Sequence, residues 1–235
     1  MRNKLLFIGF IVLLFSCGNE KIVQLPEIQN AEITKVLDVS PAYIFYDETK
    51  QDSVELNRKN LIISTNWLVN VDKRLTLKQA LPSIIKLQDK KRNASMHKNE
   101  KARNYFTCND TSIKNLGFID FTDVEYHFTY NDSINTEIIT EDDSNEINII
   151  IEDLDNIDID SIIINAKTNI HQLNHTLESI FNYELFEDNK HSINYHNINI
   201  GINKNLSFQD YITVKSKLEN FKNDKKVINN HEFIY

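Results

Sequence analysis

Apolar positions along the chain follow two rhythms, one of period two and one close to 3.6. The first is clearest where Ile147, Ile149 and Ile151 alternate with Asn148, Ile150 and Glu152, Asp155-Asn156 supplies a turn, and Ile157 and Ile159 alternate with Asp158 and Asp160. Successive side chains of a strand point to opposite faces, so this stretch predicts a β-hairpin with one buried face and one acidic face. Tyr43–Lys50 followed by Ser53–Leu56, and Tyr183–Lys190 followed by Ser192–Tyr195, each place apolar runs on either side of a polar turn and predict two more hairpins. Asn104–Cys108 reads as a strand, and Phe118–Tyr130 as a further strand or strand pair.

The second rhythm begins at Leu77. At 100° per residue, Leu81, Ile84, Ile85 and Leu87 share its face and predict a helix running to Asp89. Pro82 conflicts with that helix, which should start there or kink there, because an interior proline costs about 3 kcal/mol. Capping signatures mark three helix starts: Thr76 to Gln79, Asn169 to Gln172 and Ser207 to Asp210. Two of these starts belong to a repeated unit. Val71-Asp72-Lys73-Arg74-Leu75-Thr76-Leu77 follows the strand-like Leu61–Val69, and Ile202-Asn203-Lys204-Asn205-Leu206-Ser207-Phe208 follows Ile198-Asn199-Ile200, in matching register and each leading into an apolar-periodic run, the second to Asp224. A fainter third copy spans Ile162–Ile170 and leads into His171–Phe181. Strands outnumber helices and helices follow strands, so the expected fold class is α+β, with helices packed on mainly antiparallel sheets and an internal duplication of a strand–helix unit.

Charge adds a boundary. Residues 18–130 hold 16 basic and 15 acidic residues, whereas 131–235 hold 8 basic and 19 acidic, and Glu137–Asp160 carries ten acids with no Lys or Arg. The expected organisation is a signal peptide at 1–16, a lipidated linker at 17–29, a first α+β unit at 30–130 and a second at 146–235. The 17–29 stretch, with Pro26 inside, shows neither period. Lys86, Lys90, Lys91, Arg92, Lys98, Lys101 and Arg103 form a basic patch, but Asp89 and Glu100 interrupt it and a solvated mobile loop is expected there. With a formal charge of −8 on the whole chain, and more negative once Arg2 and Lys4 are removed, nucleic acid is not an expected partner. Only four glycines occur, too few and too scattered for phosphate loops or nucleophile elbows, which argues against nucleotide enzymes and α/β-hydrolases.

His171, His175 and Glu178 lie at i, i+4 and i+7, which aligns three potential metal ligands on one helical face. That face is on the flank, toward water, and Gln172 occupies the place of the metalloprotease general base. A solvated polar face is the plainer reading, and neither a metal, a cofactor nor a catalytic residue is assigned. Asp153, Asp155, Asp158 and Asp160 fail the EF-hand spacing and read as an acidic hairpin edge that discourages further strand pairing. Trp67 reads as core, and Cys108 as a buried free thiol without a partner.

Met1-Arg2-Asn3-Lys4, the apolar run Leu5–Phe15 and then Ser16-Cys17 resemble a bacterial lipoprotein signal of the signal peptidase II type, with Leu14-Phe15-Ser16-Cys17 in the place of the lipobox. Eleven apolar residues reach about 16 Å as a helix, short of a hydrocarbon core of ~30 Å. The resemblance implies a diacylglycerol thioether and an amide-linked acyl chain, such as palmitate, on Cys17. Over 146–235 the order of hairpin (Ile147–Ile164), helix (Asn169–Phe181), strand (Ile198–Lys204) and second helix is similar to the periplasmic domain of the ExbD/TolR biopolymer-transport proteins, with a looser version over 42–108. Those proteins couple to proton flow through a transmembrane aspartate, which the short apolar segment here does not carry; the resemblance implies a dimerising or peptidoglycan- or partner-contacting module. Together these readings lead to the expectation of a non-enzymatic, lipid-anchored cell-envelope protein on the outer membrane facing the periplasm. Its body would be a binding or assembly module with an envelope protein partner or self-association. The alternatives are an ExbD/TolR-like transport-complex component and a secreted metal-dependent hydrolase using His171 and His175.

Overall fold

A computed structural model describes residues 21–128, 146–161, 164–187, 196–219, 221 and 226–235. The signal segment 1–16, Cys17 and the polar acidic run 140–145 lie outside the described residues.

The fold is α+β, with two mixed sheets and three helices among the described residues. The first sheet contains β1 (Glu27–Ile28), β2 (Val39–Tyr46), β3 (Val54–Asn57), β4 (Asn66–Val71), β5 (Asn104–Asp110) and β6 (Asn115–Asp120), in the order β3-β2-β4-β5-β6; β1 continues along the β4 side of β5 at Asn109 and Asp110. The second contains β7 (Glu125–Phe128), β8 (Glu146–Ile151), β9 (Ile157–Ser161), β10 (Asn165–Thr168), β11 (His196–Ile202) and β12 (Lys226–Ile234), in the order β10-β9-β8-β11-β12-β7. The helices are α1 (Leu77–Arg92), α2 (Leu173–Glu187) and α3 (Phe208–Glu219).

The duplication is real in three dimensions. An antiparallel hairpin (β2-β3; β8-β9) leads to a strand parallel to its first arm (β4; β11), then a helix (α1; α3), then a strand parallel to the last (β5; β12). A helix connects β4 to β5 and β11 to β12, the middles of both sheets are parallel, and the sheets are mixed rather than mainly antiparallel. The hairpin equivalent to β2-β3 is β8-β9, not the expected Tyr183–Tyr195. Tyr183–Glu187 forms the last turns of α2, and Ser192–Tyr195 lies outside the described residues. β10 and α2 are an insertion in the second unit, between β9 and β11. Phe118–Tyr130 divides: β6 closes the first sheet and β7 crosses to pair in parallel with β12 in the second.

The two strand-to-helix junctions meet. Thr76 and Ser207 form an isolated antiparallel bridge, flanked by Leu77 N–H to Leu206 C=O at 2.9 Å, Lys78 N–H to Lys204 C=O at 2.9 Å, Phe208 N–H to Leu75 C=O at 2.6 Å and Gln209 N–H to Lys73 C=O at 3.2 Å. Under the sequence repeat the second pair of bonds is the image of the first, so the units are joined by a local two-fold. The N–H groups used are those at helix starts that have no partner within their own helix. The predicted caps at these two junctions form: Thr76 accepts from Gln79 N–H, and Ser207 Oγ from Asp210 N–H at 3.1 Å. Asn169 Oδ1 accepts from the N–H groups of His171 and Gln172, just before α2.

Burial follows the two rhythms. Leu77, Ala80, Leu81, Ile84, Leu87 and Gln88 are buried on α1, and Ile147, Ile149, Ile151, Ile157 and Ile159 on the β8-β9 hairpin. The apolar side chains among these join those of α3 and both sheets in one contiguous core. α1 runs through Pro82, which is exposed and lacks the N–H that would bond the Lys78 carbonyl. Cys108 is buried and free, and burial pushes its thiol far up. Trp67 is fully buried, with its indole N–H donated to Ile62 C=O at 2.7 Å.

Two expectations change. Lys86, Lys90, Lys91 and Arg92 of the basic patch belong to α1, not to a loop, and Lys91 is buried. Residues 21–29, expected within the linker, are fastened to the body. Lys21 pairs with Asp47 at 2.6 Å and with Glu55, Gln24 bonds Asp72 and Lys73, and β1 pairs with β5. Backbone bonds, ion pairs and the single core side chain Ile28 hold this stretch, and none of these leaves a periodic apolar signature.

Candidate functional site

The repeat exposes one conspicuous asymmetry. Phe106 pairs with Val69 on β4 and Glu232 with Ile200 on β11, so Glu232 takes the place of Phe106; on the helices Lys215 takes the place of Ile84 and Tyr211 that of Ala80. Two buried apolar positions of the first unit are therefore charged in the second. Lys215 Nζ lies 2.5 Å from Glu232 Oε1, Tyr211 donates its hydroxyl to Glu232 Oε2 at 2.9 Å, and the hydroxyls of Tyr126 and Tyr211 are 3.0 Å apart. Glu232 is 0% and Lys215 8% exposed. The register of β11 and β12 shifts between Ile198 and Ile200, where β12 takes up extra residues, and an irregularity of this type re-aims the side chains that follow it. Burial, followed by the nearby Glu232 carboxylate, holds both phenols well above their ordinary pKa. Both oxygens of Glu232 are engaged, and this network ties α3, β12 and β7 together around a carboxylate with no exposed surface.

Lys91 is held in a comparable way. Its ammonium donates to Thr65 C=O, Arg103 C=O and Asn104 Oδ1 at 3.1, 2.8 and 3.1 Å and sits 5.0 Å from the centre of the Trp67 ring. Burial lowers its pKa to about 8. Asp72 accepts two hydrogen bonds from the Arg74 guanidinium and two from the backbone N–H groups of Gln24 and Arg74.

On the opposite, solvent-facing side of the second sheet the alternation places Glu125 and His127 of β7 beside His231 and Phe233 of β12, in the register His231 to Glu125 and Phe233 to His127. His127 Nε2 lies 2.8 Å from His231 Nδ1, and Glu125 Oε2 lies 3.6 Å from the same nitrogen. One donor atom from each of the three residues lies within 4.8 Å of the others, and this is the one such convergence of His, Cys, Asp and Glu donors among the described residues. The Phe233 ring flanks His127 at 5.5 Å.

The sequence candidates do not come together this way. His171 lies before the first residue of α2, with His175 and Glu178 on that helix, and all three are exposed. His171 borders a cleft of about 390 Å³ shared with Glu27, Asn30, Thr111, Ile170 and Lys217. Asp153 is occupied in closing its turn, accepting from the N–H groups of Asp155 and Asn156 at 2.8 Å each, and Asp158 pairs with Lys167. With Glu152 and Tyr235, Asp155 and Asp158 line a cleft of about 420 Å³ on the open side of the sheet. The Glu125–His127–His231 group escaped sequence reasoning because its members come from strands about a hundred residues apart. The available signals were the alternating Glu125-Tyr126-His127 and a histidine in the last apolar run.

Compared with known protein families, curated proteins and solved structures, the chain matches none of them.

Proposed function

We propose that this chain is a lipid-anchored cell-envelope protein, held through Cys17 on the outer membrane and facing the periplasm, whose α+β body is a non-catalytic binding or assembly module. The observation that carries this reading is the fastening of the chain from Lys21 onward, at Asp47, Glu55, Asp72 and β5. Four residue steps separate Cys17 from Lys21, and four steps reach at most about 14 Å. A body attached so closely to acyl chains on Cys17 rides beside the bilayer and meets partners at the membrane. Three acyl chains would hold it far more firmly than the single chain that gives only reversible binding. The non-catalytic part of the reading is supported by the use of the buried charges Glu232, Lys215, Lys91 and Asp72, each of which joins one part of the scaffold to another. No described helix is long and apolar enough to cross a membrane.

A second reading, a component of an ExbD/TolR-like transport complex, is favoured by the element order over 146–235: hairpin β8-β9, strand β10, helix α2, strand β11, helix α3, strand β12.

Chemical cross-linking on intact membranes, followed by affinity capture of the full chain and mass spectrometry, tests both. The first reading expects capture of envelope proteins by the wild-type chain that is lost when Cys17→Ser releases the protein from the membrane. Reproducible capture of an inner-membrane channel together with a second copy of the chain favours the transport reading. Absence of any reproducible partner contradicts both.

A further inference from the structure

We propose that Glu125, His127 and His231 hold a divalent cation of the zinc class, which clips β7 to β12. Zinc binds imidazole nitrogen and carboxylate oxygen at about 2.0–2.2 Å in a tetrahedron, which sets its donors roughly 3.3 Å from one another. The two separations recorded at His231 Nδ1, 2.8 Å to His127 and 3.6 Å to Glu125, lie on either side of that value. Small side-chain rotations bring the three donors onto one ion.

The donor set selects the metal. Two imidazoles and one carboxylate suit zinc and its first-row neighbours, whereas calcium and magnesium take oxygen ligands. The backbone presents these groups without strain: alternation turns Glu125 and His127 outward while Tyr126 between them points to the interior, and the parallel register sets His231 opposite Glu125. The Phe233 ring lies beside the His127 ring, 5.5 Å between centres. Three protein ligands leave a fourth position facing solvent, available to water or to a side chain of a partner.

The site also has a mechanical role. β7 is the segment by which the first unit reaches into the second sheet, and its only described ladder is with β12. An ion bound by both strands fastens that crossing and stabilises the folded state by an amount that grows with the logarithm of the ion concentration relative to its dissociation constant. This inference is independent of the lipid anchor.

The test uses the full chain purified in detergent and stripped of metal with a chelator, then titrated with Zn²⁺ alone, with bound metal counted after desalting and thermal unfolding followed in parallel. One zinc per chain and a raised unfolding temperature are expected. His127→Ala and His231→Ala should each abolish both effects, and Glu125→Gln should weaken binding by more than about tenfold. The His171→Ala/His175→Ala double variant should bind as the wild type does. Zinc uptake below one per chain, uptake unchanged in His231→Ala, or uptake lost in the His171/His175 variant overturns the assignment. If an alanine variant fails to fold, Glu125→Gln, which keeps the shape of the side chain, decides alone.

Discussion

Thr76 and Ser207, the residues that cap α1 and α3, pair with each other across an isolated antiparallel bridge. Each residue therefore acts twice: its side chain starts its own helix, and its neighbours' backbone joins the two units. Thr76→Ala and Ser207→Ala should each lower stability by about 1 kcal/mol, the usual worth of such a cap. Because the two sites touch, the double variant should depart from the sum of the singles. Denaturant unfolding of the four proteins measures this.

The Lys215–Glu232 pair should be costly to break on one side and cheap to replace as a whole. Lys215→Met leaves Glu232 buried without its cation and should cost about 3–5 kcal/mol. Adding Glu232→Leu removes the stranded charge and should recover most of that loss, since the first unit packs the equivalent positions with Ile84 and Phe106. A double-mutant cycle in denaturant reads the coupling directly.

Lys91 should shape the alkaline side of the stability profile. Its folded pKa, about 8, lies below the ordinary lysine value of 10.5. Between those two values the unfolded chain binds more protons than the folded one, so stability contributed by this group rises as pH increases through the window. Below pH 8 Lys91 is charged in both states and adds no slope. Comparing unfolding midpoints of the wild type and Lys91→Met from pH 7 to 10.5 should show this rise in the wild type alone.

Gly117 lies where the 28–31 segment crosses β6. A Cβ there would stand 2.6 Å from Ala31 Cβ and 2.9 Å from Ile28 Cδ1. Gly117→Ala should therefore cost roughly 1–3 kcal/mol, as overpacking does. It should also lift the segment that Asp110 holds by accepting Ala31 N–H. Faster hydrogen exchange confined to residues around 28–33 and 115–118 is the expected signature.

What the sequence made legible was local. The Thr76 and Ser207 caps, the Ile147–Ile159 hairpin, the repeat of Val71–Leu77 at Ile202–Phe208 and the buried Cys108 all rest on neighbours in sequence, and all are present in the fold. Tyr183–Glu187, expected in a hairpin, is helical: Phe181, Tyr183 and Leu185 satisfy a period of two while Leu177, Phe181 and Leu185 satisfy a helix, and only the continuation of α2 from Leu173 decides between them. The crossing of β7 to β12, the Glu125–His127–His231 convergence and the exchange of Phe106 for Glu232 are relations between distant segments, on which spacing along the chain is silent. The anchoring of residues 21–29 was hidden for another reason, since β1 spans only Glu27–Ile28, one side chain of the stretch, Ile28, enters the apolar core, and the other ties are hydrogen bonds and ion pairs.

The central claim is a body fixed beside a bilayer by lipid on Cys17, and intact-mass and peptide mass spectrometry of the mature protein, isolated from membranes of its native host, tests it most directly. The account predicts a chain that begins at Cys17 and carries the added mass of a diacylglycerol group and an amide-linked acyl chain. A mature chain that begins at another residue, or one with an unmodified Cys17, contradicts it.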